Sequence, residues 1–430
     1  MTAVVGILNK QAIALAADSA VTIGGSNGRK ILNKANKVFT LSKRHPVGIM
    51  IYNSASFMMT PWETIIKVYR KQLDERSFAT VKEYQNDFIE FLRARNFYAD
   101  AEIQILFLEN FAWEIINYVI NEANNQNRAL AEEPTPENRA RFLELIENQL
   151  DSLIADWTDQ KEICSEYLEY TFDMFNQYSL EVFNKINLHR FIKNGIELSE
   201  QQLTKIKRSV YTILRAREDF TGYTGLIFAG FGEEEIYPQL IPVNISLVTD
   251  NRLRFYIDEN RIASISNDNN AAVRPFAQTD VIDTILSGID PLLDNIYLNN
   301  FDALFRKYNQ AIVDSIGDSN ELLRTQIQNL NTADLVQEFN KMNQQLKKQN
   351  YISPLMNAVS SLSKEDLAEM AESLIYLTYL KRRITFAEES VGGPVDVAVI
   401  SKGDGFIWIK RKHYFKPELN QQFFSNYFKH

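Results

Sequence analysis

The chain has 430 residues, long for one domain and ample for two, so it can bury a large core without covalent staples. Hydrophobic residues make up 45% and charged residues 23%, which excludes a disordered or fibrous chain. The formal net charge of −9 argues against a phosphate-tracking surface, and no nucleic-acid partner is expected.

One cysteine, Cys164, allows no internal disulfide, and four histidines are too few to suggest a Cys/His zinc site. No metal or cofactor is expected. With 16 glycines and 11 prolines, long helices and few tight turns follow. The apolar stretch from Thr2 to Leu8 is too short for a signal peptide, and no basic region precedes it. No uninterrupted apolar run reaches the length of a membrane span. The expectation is a cytoplasmic protein with no membrane partner.

In chain order, Ala3–Leu8 and Ala12–Ala17 are apolar runs around the polar Asn9-Lys10-Gln11, the pattern of a strand hairpin. A Gly-rich loop is predicted at Gly24–Gly28. Lys37–Leu41 and Val47–Tyr52 make a second strand pair, turned at Lys43–Pro46. From Ser56 to Arg217 apolar residues recur at spacings of three and four, predicting about 160 helical residues in five or six helices. Within that block Phe88, Phe91, Leu92, Phe107, Phe111, Trp113 and Ile116 are too many to leave in water, and they suggest a lid or a subunit contact.

Strands return at Gly225–Phe231, Gln239–Val248 and Arg252–Ile257, and helices run with breaks from Thr279 to Thr385. Met342–Asn350 is a polar helix or loop. Ser363, with Asp366 three residues on, caps the last helix. Val395–Ile400 and Gly405–Lys410 close the fold around Gly403-Asp404. Strand blocks separated by helix blocks imply an α+β layered fold. Its expected divisions are residues 1–55, a helical insertion at 56–217, and 218–430 with a helical extension at about 295–361.

Two candidate sites fail on context. Gly24-x-Ser26-x-Gly28 matches a nucleophile elbow, but a strand must run straight into a helix there, and Arg29–Lys37 is polar and basic. Cys164 with His189 offers a thiol dyad, yet a single Cys in a helical pattern reads as a small buried hydrophobe.

Thr2 is a stronger candidate. Residue 2 is small enough for Met1 to be removed, which leaves an α-amine beside a hydroxyl. An α-amine with a pKa of about 7.7–8.0 serves as a general base at neutral pH without any histidine. It can activate its own Thr hydroxyl.

The segments around it carry a resemblance. Ala16-Ala17-Asp18-Ser19-Ala20-Val21-Thr22-Ile23-Gly24, followed by Lys37-Val38-Phe39, is similar to the catalytic β subunits of the proteasome and their bacterial relatives, within the N-terminal-nucleophile (Ntn) hydrolases. Far along the chain, the helix Leu367–Arg383 and the run Glu388-Glu389-Ser390-Val391-Gly392-Gly393-Pro394-Val395-Asp396-Val397 resemble the family's last helix and closing strand. Asp404-Gly405-Phe406 supplies its turn. The helical block in the middle is not covered.

The resemblance implies a four-layer αββα sandwich with large helical insertions. It implies a threonine peptidase in which Thr2 is the nucleophile, Lys37 lowers the hydroxyl's pKa, Asp18 orients Lys37, and Glu388 and Ser390 support them. It places the oxyanion donor at the backbone of Tyr52 and Asn53. Substrate contacts fall at Val21, Thr22 and Met50. The family usually has two glycines where this chain has Tyr52-Asn53. Implied partners are a polypeptide substrate, further copies of the chain and an ATPase or unfoldase. The alternatives are a non-catalytic ring or scaffold subunit and a non-peptidase Ntn amidohydrolase.

Overall fold

The computed structural model describes residues 2–25, 28–32, 34–126, 135–159, 161–186, 198–316, 321–328, 333–385, 391–413, 415–422 and 425. The chain forms two compact units. One comprises Met1–Val38, Ile236–Gln239 and Ala263–His430; the other comprises Phe39–Glu235 and Leu240–Ile262. Each combines helices with an antiparallel sheet, so the α+β class holds.

In the first unit, β1 (Ala3–Asn9) and β2 (Ile13–Ala17) form the expected hairpin. Asn9 closes its turn, accepting on Oδ1 from the N–H groups of Gln11 at 2.9 Å and Ala12 at 3.2 Å. Its Nδ2 donates to the carbonyls of Val359 at 3.1 Å and Leu362 at 2.9 Å. Thus a fully buried polar side chain is satisfied at both ends. Val4 pairs with Ala17, so Asp18, one residue past β2, comes opposite Ala3 and donates its N–H to that carbonyl at 3.1 Å.

β13 (Ala271–Ala277), β14 (Asp396–Ser401) and β15 (Gly405–Lys410) complete a sheet in the order β13-β1-β2-β14-β15. Alternation turns Ala3, Val5, Ile7, Ala14 and Ala16 to one face, against Leu367, Ala371, Leu374 and Ile375 of the helix α13 (Lys364–Ile384). The small alanines let that helix approach closely. Ser363 caps it as predicted, its Oγ accepting from the Asp366 N–H at 3.2 Å.

Of the Gly-rich loop expected at Gly24–Gly28, Gly24, Gly25 and Gly28 are paired in a hairpin, while Ser26 and Asn27 lie outside the described residues. β3 (Val21–Gly25) pairs with β4 (Gly28–Leu32) from Val21 opposite Leu32 to Gly25 opposite Gly28. Paired glycines and the charged Arg29-Lys30 hide the apolar alternation that marks a strand, and backbone pairing needs no side chain.

The unit also holds the short strand β12 (Ala263–Ser264) and the helices α8 (Asp280–Ser287), α9 (Pro291–Ile316), α10 (Glu321–Gln328), α11 (Ala333–Lys347) and α12 (Ser353–Ser360). The Asn/Gln-rich Met342–Asn350 is helical, entering a π-helical turn at Lys348–Ile352. α9 buries one described residue, Val313, while Leu292, Leu304 and Tyr308 are each more than 60% exposed.

The second unit carries β5 (Val38–Thr40), β6 (Val47–Asn53), β9 (Thr224–Gly230), β10 (Gln239–Thr249) and β11 (Arg252–Ile257), ordered β11-β10-β9-β6-β5. Asp250 and Asn251 turn β10 into β11 with φ of 51° and 57°, the double positive φ of a tight hairpin turn. The predicted helical block opens with two short paired strands, β7 (Ser56–Phe57) and β8 (Thr60–Pro61).

Seven α-helices follow among the described residues, where five or six are expected: α1 (Trp62–Leu73), α2 (Val81–Ala94), α3 (Ala101–Gln126), α4 (Pro136–Asp159), α5 (Phe172–Tyr178), α6 (Leu180–Ile186) and α7 (Glu200–Arg215). α3 is long and apolar enough, by length and composition, to cross a bilayer, yet one face of it is buried in this unit's core. Phe88, Phe91, Leu92, Phe111 and Ile116 lie in the same core with Phe228 and Val243 of the sheet, and Phe107 and Trp113 pack on it. The aromatics that suggest a lid or subunit contact are therefore consumed as internal packing.

Candidate active site

Thr2, Asp18 and Lys37 meet because three short pieces of backbone converge. β1 begins just after Thr2, β2 ends just before Asp18, and β5 begins just after Lys37. All three side chains are buried, at 2%, 1% and 3% exposure. Lys37 Nζ donates to Thr2 Oγ1 at 3.0 Å, to Asp18 Oδ1 at 2.7 Å and to the Ala20 carbonyl at 2.5 Å. An ammonium has three protons, and each has its acceptor.

Asp18 is the hub. Its Oδ1 also accepts from the Ala3 N–H at 3.0 Å, and its Oδ2 accepts from the N–H groups of Ala20 and Gly392, each at 3.1 Å. Three backbone donors and the Lys37 ammonium thus satisfy the buried carboxyl oxygens. Burial pushes the Lys37 ammonium below its ordinary pKa, and the charge of Asp18 pulls it part of the way back. A second pair modulates it more weakly, Lys412 pushing down and Asp396 pulling up. Asp396 lies opposite Ala17 in the sheet, accepts from the Lys412 N–H at 2.9 Å and forms an ion pair with the Lys412 ammonium.

This arrangement has a chemical direction. A cation held on Thr2 Oγ1 favours the deprotonated oxygen. Charged Lys37 cannot itself accept that proton, because every valence of its nitrogen is used. A general base at this hydroxyl would have to be another group.

The remaining expected residues divide three ways. Val21 and Thr22 lie on β3, with backbones paired to Leu32 and Ile31. Met50, Tyr52 and Asn53 lie on β6 in the second unit. Glu388 and Ser390 fall outside the described residues, as does His189. Cys164 is fully buried in the second unit's core, and burial raises its thiol pKa.

Asn53 takes φ of 66°, the left-handed backbone that Asn tolerates. Tyr52 stays in the strand opposite Gly225, and a Cβ on that glycine would come within 1.9 Å of the Tyr52 ring. Gly225 is thus the space that admits Tyr52. The Tyr52 hydroxyl donates to Asn244 Oδ1 at 3.1 Å, and Asn244 Nδ2 donates to Asp219 at 2.9 Å.

Sequence reasoning missed the partners that act through backbone. Gly392 and Gln278 contribute N–H groups, Gln278 to the Thr2 carbonyl at 3.1 Å, and backbone donors leave no side-chain signature. Asp396 had a signal: an acid inside the apolar run Val395–Ile400.

The sequence matches no family model and no curated protein at a significant level. Among solved structures the chain is similar to the Anbu (Gly-1) mutant from Hyphomicrobium sp. strain MC1. The identity is 10%, the match covers 99% of this chain and 94% of that one, and the TM-score is 0.25. A score of that size establishes neither shared architecture nor shared chemistry.

Proposed function

We propose that this chain is an N-terminal-nucleophile hydrolase of the proteasome β-subunit kind, an αββα sandwich with helical insertions, that cleaves peptide bonds with Thr2. The observation that carries the reading is Lys37 Nζ shared between Thr2 Oγ1 and Asp18, all three buried. Removal of Met1 frees the Thr2 amine. The neutral amine takes the Oγ1 proton as Oγ1 attacks the substrate carbonyl carbon. The tetrahedral intermediate collapses, the C–N bond breaks, and the resulting ammonium returns a proton to the leaving amine. Water, deprotonated by the amine, then cleaves the Thr2 ester and releases the acid.

Lys37 stabilises the oxygen as its proton leaves, and Asp18 holds Lys37 charged and aimed. The substrate class is polypeptide, and an ATP-driven unfoldase belongs to the proposal as the means of presenting folded proteins. Self-association is supported by the exposed apolar residues of α9. The test is the mass of the purified N-terminus together with turnover of blocked chromogenic peptides by wild type and Thr2→Ala. Thr2 at the N-terminus and loss of turnover in the variant are expected. A retained Met1 and no turnover would favour the scaffold subunit. Turnover of simple amides but not peptides would favour the amidohydrolase.

A further inference from the structure

Thr2 is anchored at more points than its hydroxyl. The peptide plane between Thr2 and Ala3 is held at both polar ends. The Ala3 N–H donates to Asp18 Oδ1 at 3.0 Å, and the Thr2 carbonyl accepts from the Gln278 N–H at 3.1 Å. With that plane fixed and Oγ1 held by Lys37 at 3.0 Å, the rotations about Cα–C and Cα–Cβ of Thr2 are both set. The direction of its nitrogen follows from them.

The Gln278 N–H is aimed by an unusual piece of backbone. Ala277, paired with Ala3 at the end of β13, takes φ of 64°. A left-handed alanine costs about 1–2 kcal/mol, so it persists only where surrounding contacts hold it. The residues just past it are held by the last turn of α13. Arg382 Nε donates to Gln278 Oε1 at 2.7 Å, and its Nη2 pairs with Asp280 in the first turn of α8. Lys381 Nζ bonds Asp280 at 2.9 Å and Asp290 at 3.1 Å. α13 is already held to the sheet by its buried apolar face, and part-exposed ion pairs add little to stability. Their geometric effect is to seat the Gln278 side chain, and with it the N–H beneath Thr2.

We infer that Gln278 and Arg382 are positioning residues for the Thr2 amine. Arg382 fixes the Gln278 side chain, Gln278 fixes the Thr2 carbonyl, and the amine is thereby aimed for proton transfer. This rests on Thr2 being the nucleophile. Misplacement of a reacting group by about 1 Å can cost about a hundredfold in rate, so partial loosening should be visible in kcat.

The experiment compares wild type, Arg382→Ala, Arg382→Lys, Gln278→Leu and the Arg382/Gln278 double variant on one blocked chromogenic peptide, with thermal unfolding of each. Expected are a kcat lower by about tenfold in Arg382→Ala, KM within about twofold, partial recovery in Arg382→Lys, and a double variant no worse than its poorer single. Unfolding temperatures should stay near wild type. A wild-type kcat in Arg382→Ala, or a loss tracking a lower unfolding temperature, would overturn the inference while leaving Thr2's role intact. If wild type gives no turnover, the Thr2 reading fails and this inference fails with it.

Discussion

The two units each bury a cation against an aspartate, and they use it differently. In the first, Lys37 spreads three protons over a carboxylate, a carbonyl and the hydroxyl of Thr2. In the second, Arg254, 1% exposed, places all five donors on fixed acceptors. These are the carbonyls of Leu214, Ala216 and Glu218, Ser246 Oγ at 3.0 Å and Asp219 at 2.9 Å. Asp219 in turn accepts from Tyr256 at 2.7 Å and from Asn244. Arginine is always charged and is here fully committed to closing the end of α7 on β11. Lysine is a compact, strongly hydrated charge whose pKa burial has lowered, and one of its partners is the hydroxyl of Thr2. The lesson is that burial of an ion pair alone does not mark a site. A titrating member in contact with a hydroxyl is what makes the first pair a candidate.

That contrast can be broken by mutation. The largest effect is expected from Thr2→Ala and Lys37→Ala. Each should take turnover to background, and the double variant should lose no more than either, as groups acting as one unit do. Both should still fold, because Asp18 keeps its three backbone donors. Single losses that are modest and multiply in the double variant would show that the two residues do not share a site.

Arg254→Met should act the other way. It removes the cation from Asp219, leaving it only Tyr256 and Asn244, and takes a donor from three carbonyls, and urea unfolding should show a loss of about 3–5 kcal/mol. A loss under about 1 kcal/mol would mean that the network is dispensable.

The pH profile sharpens the distinction. Activity should rise as the Thr2 amine loses its proton near pH about 7.7–8.0. It should fall as Lys37 loses its charge, below the ordinary 10.5. Asp18→Asn removes the anion that opposes burial, so Lys37 should deprotonate at still lower pH and the alkaline limb should move down. An unmoved limb would assign it to another group. The smallest effect belongs to Ala277→Gly, which relieves the left-handed strain and should raise stability by up to about 1 kcal/mol in thermal unfolding.

The sequence made the cluster of Thr2, Asp18 and Lys37 more legible than the architecture around it. The three were singled out by the resemblance of Ala16–Gly24 and Lys37–Phe39 to a known family, next to strands whose apolar runs are plain. The hairpin of β1 and β2 and the capping of α13 followed from local pattern. The β3–β4 hairpin did not, since glycines and charges pair through backbone alone. The aromatics of α2 and α3 showed that something must be covered, but not that strands β6, β9 and β10 of the same unit cover them. Composition gives an amount of apolar surface, and only tertiary pairing says what meets it. Gly225 was opaque for a related reason: its meaning is the ring of Tyr52 on the neighbouring strand.

The strand order also sets a timetable. β2 and Asp18 are made near the start of synthesis, whereas Gly392, which donates to Asp18, is made 374 positions later. The strand β14, which pairs with β2, follows directly after it. At about 5–20 residues per second, the ribosome needs about 20–75 s to supply them. Until then the N-terminal hairpin has an unpaired edge and the carboxylate lacks one of its donors. Thr2, Asp18, Ala20 and Lys37 are all made within the first 37 residues, so the cluster's own side chains wait on the far end of the chain for the last backbone donor to Asp18.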